Sequence, residues 1–402
     1  MVSLADIQAA FGRIRDSIIF TPCGASEAFS QATGNTVFLK LENHQVTGAF
    51  KERGALNKIL SLSADEKSRG LIAASAGNHA QAVAYHATRS GLKSEIWMPM
   101  PTPLVKVSAT RGYGAEVVLH GNNYDDAYQG ALERSRQAGL TFIHPFDDES
   151  VIAGQGTIGL EMLQQVPNID AVIVPIGGGG LIGGIACAIK ESSPGTRVIG
   201  VQTSKLPSMM RALAEGHPVL LPVATTIADG IAVRFAGERT LPMVRKYVDD
   251  IVTVDEEEIA NAILLLLERE KTLAEGAGAA ALAALVNRKT GLSGKRVVVL
   301  VCGGNIDVTL LARIIERGLV KDGRLVRLRI HLPDHAGALN RLTGIFAEHR
   351  ANIVQTRYDR AYHGVMLGET AIELTLETRG PQHVEELIAA LNAGGYTFER
   401  VV

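Results

Sequence analysis

The first 320 residues alternate short apolar runs with longer segments in which apolar residues recur at helical spacing. The apolar runs are rich in Val and Ile and predict buried strands at 36–41, 71–75, 94–99, 115–120, 170–176, 197–202 and 296–301. The helical spacing predicts helices at 50–61, 78–89, 104–112, 124–138, 181–192, 256–270, 276–287 and 307–317. Strands that alternate with helices form parallel sheets joined by crossover helices. We therefore expect an α/β fold with functional groups in the turns after the strands, where such sheets bind ligands.

The pattern changes near residues 320–325, after a polar stretch. The rest of the chain reads strand, helix, strand, strand, helix, strand, which is the order of the ferredoxin-like βαββαβ unit. The predicted strands are 325–332, 352–361, 368–378 and 396–402, and the predicted helices are 337–350 and 382–395. Apolar and polar residues alternate in two of these strands, as is typical of a sheet with one covered face. We therefore predict two domains, 1–320 and 325–402.

Composition and charge narrow the class of protein. The 40 Lys and Arg residues against 42 Asp and Glu argue against a nucleic-acid partner. Cys23, Cys187 and Cys302 show neither a disulfide framework nor zinc spacing, so we expect a reducing compartment, the cytoplasm. Residues 171–189 carry no charge and are as long as a membrane span, but they contain Pro175 and four consecutive glycines. These residues oppose a spanning helix, and a strand, a turn and a helix start are predicted instead.

A lysine stands at the start of a predicted helix in TGAFKERGA, residues 47–55. The positive potential of a helix N-terminus and the neighbouring Arg53 lower the pKa of the Lys51 amine and favour its free form. Lys51 is therefore a candidate for a Schiff base with a carbonyl compound. A solvated surface lysine is the alternative interpretation.

Two further turns follow predicted strands. In SAGNHAQ, residues 75–81, small residues expose backbone N–H groups that suit a carboxylate or phosphate, and the Asn78 amide can donate as well. A simple helix cap is the alternative there, and His79 by itself favours a structural role. In VCGGN, Cys302 is either a buried core thiol or a neutral hydrogen-bond partner, because the turn contains no His or Asp to activate it.

A glycine-rich turn, GGGGLIGG at 177–184, follows another predicted strand. Successive glycines allow a close approach to the backbone, and N–H groups at a helix start form an anion cradle. The same turn contains G-x-G-x-x-G at Gly178, Gly180 and Gly183, so an NAD-dependent oxidoreductase is a rival interpretation. That fingerprint expects an acid about 20 residues further on, but the next predicted strand ends at Gln202.

These turns together supply a lysine, an anion cradle, an amide donor and a neutral polar group, each at the end of a predicted strand or the start of a helix. Pyridoxal phosphate needs these four groups for its aldehyde, its phosphate, its phenolic oxygen and its pyridine nitrogen. A pyridoxal-phosphate lyase is therefore favoured over an oxidoreductase. It is also favoured over a non-catalytic amino-acid sensor, since the lysine and the glycine cradle are intact.

Six segments in the same order resemble the serine/threonine dehydratases, which are tryptophan-synthase-β-like (fold type II) pyridoxal-phosphate enzymes. These segments are TGAFKERGA, SAGNHAQ, VPIGGGGL, TIADG (226–230), EGAGA (275–279) and CGGNID. The C-terminal segment that begins LRIHLPDHAGALNRL resembles an ACT domain, an amino-acid-sensing module. The resemblance implies two open parallel sheets, with a smaller subdomain at roughly 45–145. It also implies elimination of water from L-threonine followed by hydrolysis to 2-oxobutanoate and ammonia, and the same reaction of L-serine to pyruvate and ammonia.

The resemblance further implies a role for each matching residue. Lys51 holds the cofactor covalently and acts as base and acid, while Phe50 packs against the cofactor ring. The other cofactor contacts are Asn78 with the phenolic oxygen, Cys302 with the pyridine nitrogen, and Gly177, Gly178, Gly179, Gly180 and Leu181 with the phosphate. The turn that receives the substrate carboxylate contains Ser75, Ala76, Gly77 and His79.

Two departures from related enzymes sharpen this expectation. Ala76 stands where racemases of the family carry a catalytic serine, which favours elimination over racemisation. The metal-binding relatives place an acid where this chain has Gln202, Leu206 and Ser208, so no metal is predicted. A serine racemase or a hydroxyaspartate ammonia-lyase remains the alternative within the family.

The ACT resemblance implies regulation by an amino-acid effector. The candidate effector residues are Gly337, Leu339 and Asn340 in the first turn, and Asn352 and Ile353 at the entry of the second strand. Such modules pair between subunits, so a homodimer or homotetramer is expected. A purely structural dimerisation module is the alternative, because the fold alone does not fix a function.

Overall fold

The computed structural model describes residues 1–359 and 366–401. The chain divides into two compact units, Met1–Asp307 and Val308–Val402. The division lies at the start of a helix, Val308–Lys321, whereas the sequence places the boundary near 320–325, where this helix ends. The helix groups with the second unit because it packs against the first strand of that unit. Residues 360, 361 and 402, at the ends of two predicted strands, lie outside the described residues.

The first unit is built from alternating strands and helices. Its strands are β1 (Cys23–Ser26), β2 (Thr36–Leu41), β3 (Leu71–Ala74), β4 (Ser94–Met98), β5 (Glu116–Leu119), β6 (Thr141–Phe142), β7 (Ala171–Pro175), β8 (Arg197–Thr203), β9 (Asp250–Val254) and β10 (Arg296–Val301). Its helices are α1 (Leu4–Ile14), α2 (Glu27–Thr33), α3 (Lys51–Ser61), α4 (Ala64–Arg69), α5 (Asn78–Arg89), α6 (Leu104–Gly112), α7 (Tyr124–Ala138), α8 (Glu149–Gln165), α9 (Gly180–Ser192), α10 (Ser208–Glu215), α11 (Thr240–Tyr247), α12 (Glu256–Glu270) and α13 (Gly276–Val286).

The strands of the first unit form two sheets. One sheet has the order β1-β2-β10-β7-β8-β9 and the other the order β5-β4-β3-β6. Every neighbouring pair is parallel except β1 with β2, which is antiparallel. The prediction of an α/β fold with two parallel sheets is therefore confirmed. The register of β2, β10 and β7 brings their carboxyl ends to one edge of the larger sheet, where the turns of the candidate site begin.

Helices α8 and α9 approach each other closely, and glycines make this contact possible. A methyl group on Gly184 would overlap the Ile152 carbonyl oxygen, and one on Gly156 would lie 2.9 Å from the Gly184 carbonyl oxygen. Gly154 allows a similar approach of α3, because a methyl group there would lie 2.5 Å from the Arg53 carbonyl oxygen. Glycine lowers intrinsic helix propensity, which is why residues 149–165 do not read as a helix from sequence alone. The tertiary contact overrides this local preference.

The second unit begins with α14 (Val308–Lys321) and continues with β11 (Leu325–Pro333), α15 (Ala338–Glu348), β12 (Asn352–Asp359), β13 (Glu369–Glu377), α16 (Pro381–Ala393) and β14 (Thr397–Val401). Its strands form one sheet of order β12-β13-β11-β14, with all neighbours antiparallel. Leu328, Phe346 and Leu387 belong to the core between this sheet and its helices. Across the described parts of both units, none of the helices has the length and apolar character that crossing a bilayer requires.

Candidate active site

Lys51 is the first residue of α3 and lies between two turns. The Phe50 N–H donates to the Cys302 carbonyl oxygen at 3.0 Å, which joins the start of α3 to the turn after β10. The Lys51 Nζ donates to the Pro145 carbonyl oxygen at 2.8 Å, in the turn after β6. The same Nζ lies 5.1 Å from the centre of the Phe50 ring. The amine therefore faces a backbone carbonyl and an aromatic ring, and no carboxylate among the described residues forms an ion pair with it.

The environment of Lys51 lowers the pKa of its amine and so raises the fraction in the neutral form. Burial lowers the pKa of Lys51 to about 8, although Cys302 and Glu275 partly oppose this shift. Burial also lowers the pKa of His79 to about 3 and that of His144 to about 4. Both imidazoles are therefore neutral at physiological pH, and the lysine amine is the basic group of this cleft.

Helix α3 is anchored by a fully buried network of ion pairs. The Arg53 guanidinium bonds to Glu42 at 2.7 Å through both Nε and Nη2, and to Glu161 at 2.6 Å and 2.8 Å. Lys40 Nζ completes the network with a 2.6 Å ion pair to Glu161. Burial alone would raise the pKa of Glu42, but Arg53 and Lys40 outweigh it and lower that pKa. The charges of Arg53 and Lys40 thus balance those of Glu42 and Glu161. Arg53 follows Lys51 by two residues, so this network fixes the start of α3.

Asn78 connects three turns through its side-chain amide. Its Nδ2 donates to Glu275 Oε1 at 2.7 Å, and its Oδ1 accepts from Asn305 Nδ2 at 2.8 Å. Asn305 Nδ2 also donates to the Thr47 carbonyl oxygen at 2.7 Å. Because Glu275 takes only one of the two amide hydrogens, the second N–H of Asn78 is available to a ligand.

Two buried titratable groups, the Glu275 carboxyl and the Cys302 thiol, lie near this amide. Burial raises the pKa of Glu275 to about 7, and the charge of Asp229 adds to the rise, while the hydrogen bond from Asn78 opposes it. Burial and the neighbouring Glu275 hold the pKa of the Cys302 thiol well above its usual range. Cys302 is therefore a neutral thiol at physiological pH. Gly303 lets Glu275 come this close, since a methyl group there would lie 2.5 Å from Glu275 Oε1.

The glycine turn after β7 presents unused backbone donors. Within the described residues, no acceptor receives a hydrogen bond from the N–H groups of Gly177–Gly180. Gly179 has a φ of +97°, a conformation that favours glycine, and caps α9, in which Leu181 is buried. The Phe146 ring lies so close to Gly178 that a methyl group there would overlap it. Unpaired N–H groups at a helix N-terminus suit a phosphate.

One short segment joins the amine to this cradle. Pro145 accepts the hydrogen bond from Lys51, and the next residue, Phe146, packs against Gly178 and Gly180. The structure thus links the lysine to the glycine turn through Pro145 and Phe146. The backbone of Cys302 bonds to Phe50, and Asn305 connects the Asn78 amide to Thr47. A ligand that carries both an aldehyde and a phosphate fits this set of groups.

The predicted substrate turn lies between β3 and α5. Ser75 Oγ accepts from the Gly77 N–H at 3.2 Å, and a methyl group on Gly77 would meet open space. Ala76 packs against the core of the smaller sheet. The His79 ring is buried, with Nε2 2.8 Å from the Ile143 carbonyl oxygen. The imidazole is therefore held by the backbone of the residue that follows β6.

The predicted effector residues do not come together within one chain. Gly337, Leu339 and Asn340 follow the end of β11 at Pro333. Asn352, which precedes Ile353 on β12, pairs with Glu377, and Glu377 pairs with Leu325 at the start of β11. Nine residues of extended strand separate the two ends, about 27 Å. One site built from both turns of a single copy is therefore excluded by the topology.

The positions compared with metal-binding relatives are buried. Gln202 Oε1 accepts from the Met210 N–H at 3.0 Å, and Leu206 and Ser208 are also buried. Among residues 1–359 and 366–401, no cluster of three His, Cys, Asp or Glu side chains is arranged to hold a metal ion.

Sequence reasoning missed several residues that the structure adds to this site. Glu275 and Asn305 lie inside the quoted segments EGAGA and CGGNID, and Glu275 is the only charged residue between 272 and 286. A lone acid in an apolar segment is a signal that could have identified it. The segment 145–147 had no such signal. The strand before it, β6, is only two residues long, so no apolar run marks a strand end there.

The fold and the site define an α/β enzyme with a half-buried lysine amine and a turn of unused backbone N–H donors, groups that suit an aldehyde and a phosphate. In agreement, the family described as pyridoxal-phosphate dependent enzyme matches residues 14–303. The chain belongs to this family, and its cofactor is pyridoxal 5′-phosphate.

Three relatives illustrate the similarity. The L-threonine ammonia-lyase of Thermotoga maritima is 48% identical over 396 residues, which cover 98% of each chain. The processed form of threonine deaminase isoform 2 from Solanum lycopersicum is similar in structure, with a TM-score of 0.75 and 39% identity over 78% of this chain and 91% of that chain. Maize serine racemase has a TM-score of 0.75 and 34% identity over 80% of this chain and 98% of that chain.

Proposed function

We propose that this chain is a threonine ammonia-lyase. It would eliminate water from L-threonine, and hydrolysis of the product would then consume one water and give 2-oxobutanoate and ammonia. L-Serine would give pyruvate and ammonia in the same way. The observation that carries the proposal is the contact of Pro145 and Phe146 with both the Lys51 amine and the glycine turn. The relatives named for threonine deamination support the choice of substrate, and the similarity to one of them extends over 98% of the chain.

Lys51 carries the chemistry among the residues of this chain. When bound, pyridoxal phosphate supplies an electron-accepting ring that weakens the Cα–H bond of the amino acid. The Lys51 amine, with its pKa lowered to about 8, removes that proton as a general base. The Pro145 carbonyl accepts a hydrogen bond from Nζ and orients it. Lys51 then returns a proton to the departing hydroxyl group.

The neighbouring side chains set the direction of the reaction. Asn78 would donate its second N–H to the phenolic oxygen of the cofactor, while Glu275 and Asn305 hold the amide in place. The neutral Cys302 thiol would face the pyridine nitrogen and would leave it unprotonated. An unprotonated ring accepts charge less strongly, which disfavours transamination and racemisation and favours loss of the β-hydroxyl group.

Racemisation is the second candidate activity, and the similarity to maize serine racemase favours it. A racemase needs a second proton donor on the face opposite the lysine. Ala76 stands in the substrate turn at the position where the family's racemases carry that serine, and its methyl group cannot transfer a proton. Ser75, Gly77 and His79 would bind the substrate carboxylate chiefly through their backbone.

A substrate panel tests the proposed function directly. We expect 2-oxobutanoate and ammonia in equal amounts from L-threonine, a lower rate of pyruvate release from L-serine, and no D-amino acid by chiral chromatography. 3-Hydroxyaspartate belongs in the same panel because it carries the same β-hydroxyl group. Accumulation of D-serine faster than pyruvate would instead assign a racemase, and turnover of hydroxyaspartate alone would assign a different ammonia-lyase.

The low pKa of Lys51 predicts how cofactor attachment depends on pH. A pKa of about 8 leaves about a tenth of the amine free at pH 7, against about 0.04% for an ordinary lysine. The rate at which cofactor-free protein takes up pyridoxal phosphate should therefore rise about tenfold from pH 6 to 7 and level off above pH 9. Stopped-flow absorbance measures this rate.

The other titratable groups of the cleft allow a control for that profile. His79, His144 and Cys302 do not change charge between pH 6 and 9 because their pKa values lie outside this range. Glu275, with its pKa raised to about 7, does titrate there. The Glu275→Gln variant should keep the plateau above pH 9. A rate that still rises at pH 10 in both proteins would show that the Lys51 amine has an ordinary pKa.

For the second unit we propose an ACT-type regulatory domain that works between two copies of the chain. Its order of elements and its sheet order β12-β13-β11-β14 support a ferredoxin-like fold. The turn at 337–340 and the entry of β12 lie at opposite ends of the sheet, so an effector that contacts both needs two copies side by side in opposite directions. We therefore propose a homodimer or homotetramer, in which a two-fold axis generates two equal sites.

Calorimetry tests the effector site. Isoleucine, valine, threonine and serine are titrated into the full chain, and one of them should bind with a change in KM or kcat. The Asn340→Ala and Asn352→Ala variants should each lose binding, whereas a mixture refolded together should regain part of it, because mixed dimers keep one intact site. The absence of heat with all four amino acids would favour a structural dimerisation module.

We also propose a cytoplasmic location for the enzyme. Cys23, Cys187 and Cys302 are all unpaired, and Cys187 and Cys302 are buried. Free thiols persist in a reducing compartment, where the glutathione pool keeps them reduced.

A further inference from the structure

The carbonyl group of Gly178, inside the glycine turn, is fixed by two donors from the segment that leads into α11. Thr240 Oγ1 lies 2.6 Å from the Gly178 oxygen, and the Gly237 N–H donates to the same oxygen at 3.1 Å. Thr240 is the first residue of α11 and its side chain is completely buried. The hydroxyl has one proton, and the Gly237 carbonyl at 3.2 Å is a longer alternative acceptor. The Gly178 carbonyl is therefore its main partner.

This contact determines where the next N–H group points. The Gly178–Gly179 peptide is planar and trans, so its C=O and N–H bonds point in opposite directions. Holding the Gly178 oxygen on the side of Thr240 turns the Gly179 N–H to the other side. Within the described residues that N–H has no acceptor of its own. Glycine at both positions has little intrinsic resistance to rotation of this peptide, so an external contact is needed to fix it.

Asp147 in turn fixes the position of Thr240. Its Oδ1 accepts from the backbone N–H groups of Arg239 at 2.9 Å and Thr240 at 3.2 Å, and its Oδ2 accepts from Glu238 at 3.2 Å. Asp147 directly follows Phe146, which packs against the glycine turn. The chain of contacts thus runs from the segment beside Lys51, through the start of α11, to the peptide of the cradle.

We propose that Thr240 is a positioning residue for the phosphate site: its hydroxyl holds the Gly178 carbonyl and thereby aims the Gly179 N–H at the phosphate of the cofactor. The proposal rests on the phosphate role of Gly177–Gly180 in the proposed function. Thr240 does not touch the reacting atoms. Its effect should appear in the affinity for the phosphate group and not in the chemistry at the aldehyde.

Two cofactor forms separate this role from a general structural one. Cofactor-free wild-type and Thr240→Val proteins are titrated with pyridoxal 5′-phosphate and with pyridoxal, which lacks the phosphate, and absorbance gives the dissociation constants. We expect Thr240→Val to weaken binding of the phosphorylated form about tenfold and to leave pyridoxal binding unchanged. Thr240→Ser, which retains the hydroxyl, should restore the wild-type constant.

Thr196→Val is the matched control. Thr196 is also buried and its hydroxyl also donates to a backbone carbonyl, that of Ile169 at 2.8 Å, but it is remote from the glycine turn in sequence and in contacts. It should leave both constants unchanged. Equal weakening of both cofactor forms by Thr240→Val, or no weakening of either, would overturn the proposal. Failure of Thr240→Ser to restore binding would do so as well.

Asp147→Asn provides a second route if Thr240→Val does not fold. The neutral amide keeps an oxygen acceptor but loses the charge that binds three backbone N–H groups. Like Thr240→Val, Asp147→Asn should weaken binding of pyridoxal 5′-phosphate more than binding of pyridoxal. A ratio of the two dissociation constants equal to that of the wild-type protein would contradict the proposal. Wild-type protein that binds the cofactor but does not deaminate threonine would contradict the proposed function alone.

Discussion

The Lys51→Ala variant should lose both covalent cofactor attachment and turnover. Borohydride reduction of the wild-type enzyme should fix a pyridoxyl group on the peptide that contains Lys51, and the variant should show no such tag by mass spectrometry. The absorbance expected at about 400–420 nm for the bound cofactor should disappear. Release of 2-oxobutanoate should fall by at least about 10²–10⁴-fold, because the variant lacks the general base.

Lys58→Ala is the matched control for this experiment. Lys58 lies on the same helix and forms a 2.7 Å ion pair with Asp148. Replacing Lys58 therefore tests whether the loss of another half-buried lysine of α3 affects cofactor attachment and turnover as much as the loss of Lys51. The Lys58→Ala protein should keep the tag and most of its activity. A pyridoxyl group on another lysine of the wild-type enzyme, or normal turnover by Lys51→Ala, would contradict the assignment.

Replacing Arg53 with methionine should have the largest effect on stability. The variant keeps most of the apolar volume but leaves Glu42 and Glu161 buried with only Lys40 to balance them. Breaking a buried ion pair on one side costs about 3–5 kcal/mol, because the remaining charge is uncompensated. We expect a loss of this size in the free energy of unfolding by urea, followed by circular dichroism. The start of α3 should loosen as well, which would weaken cofactor binding.

Arg134→Met provides the surface counterpart. Arg134 also makes two hydrogen bonds to one carboxylate, that of Glu95 at 3.2 Å and 2.9 Å, but its side chain is 45% exposed. A pair in contact with water contributes less than about 1 kcal/mol. The loss in the free energy of unfolding should therefore be clearly larger for Arg53→Met than for Arg134→Met. Equal losses would mean that water reaches the Arg53 network or that the network relaxes without cost.

The sequence predicted those elements whose local pattern agrees with the final structure. The Val- and Ile-rich runs became β7, β8 and β10, because a strand buried on both faces needs a continuous apolar run. The antiparallel edge strand β1, with the sequence CGAS, has no such run and was missed. Helix α8 was missed for the opposite reason, since its glycines are required by the approach of α9 and not by the helix itself.

For the candidate site too, the sequence predicts residues that stand in short motifs but not the contacts between distant segments. Lys51, Asn78, Cys302 and the glycines could be proposed because each stands in a short motif at a helix start or after a strand. Their mutual contacts depend on Pro145, Phe146 and Thr240, which reach the site from distant parts of the chain. A pattern along one segment contains no information about such partners. The effector turns illustrate the limit, because both were proposed from sequence but only the strand order shows that they lie apart.

The tight contact between α8 and α9 limits how this protein can be stabilised by engineering. Alanine in place of glycine usually strengthens a helix by up to about 1 kcal/mol. At Gly156 and Gly184 the added methyl group would meet backbone atoms of the facing helix, and at Gly154 it would meet the backbone of α3, so the helices would be forced apart. Gly12 and Gly344 are also helical, but open space surrounds them. Thermostabilising substitutions of this kind therefore belong on the outer helices, and the central pair must stay as it is.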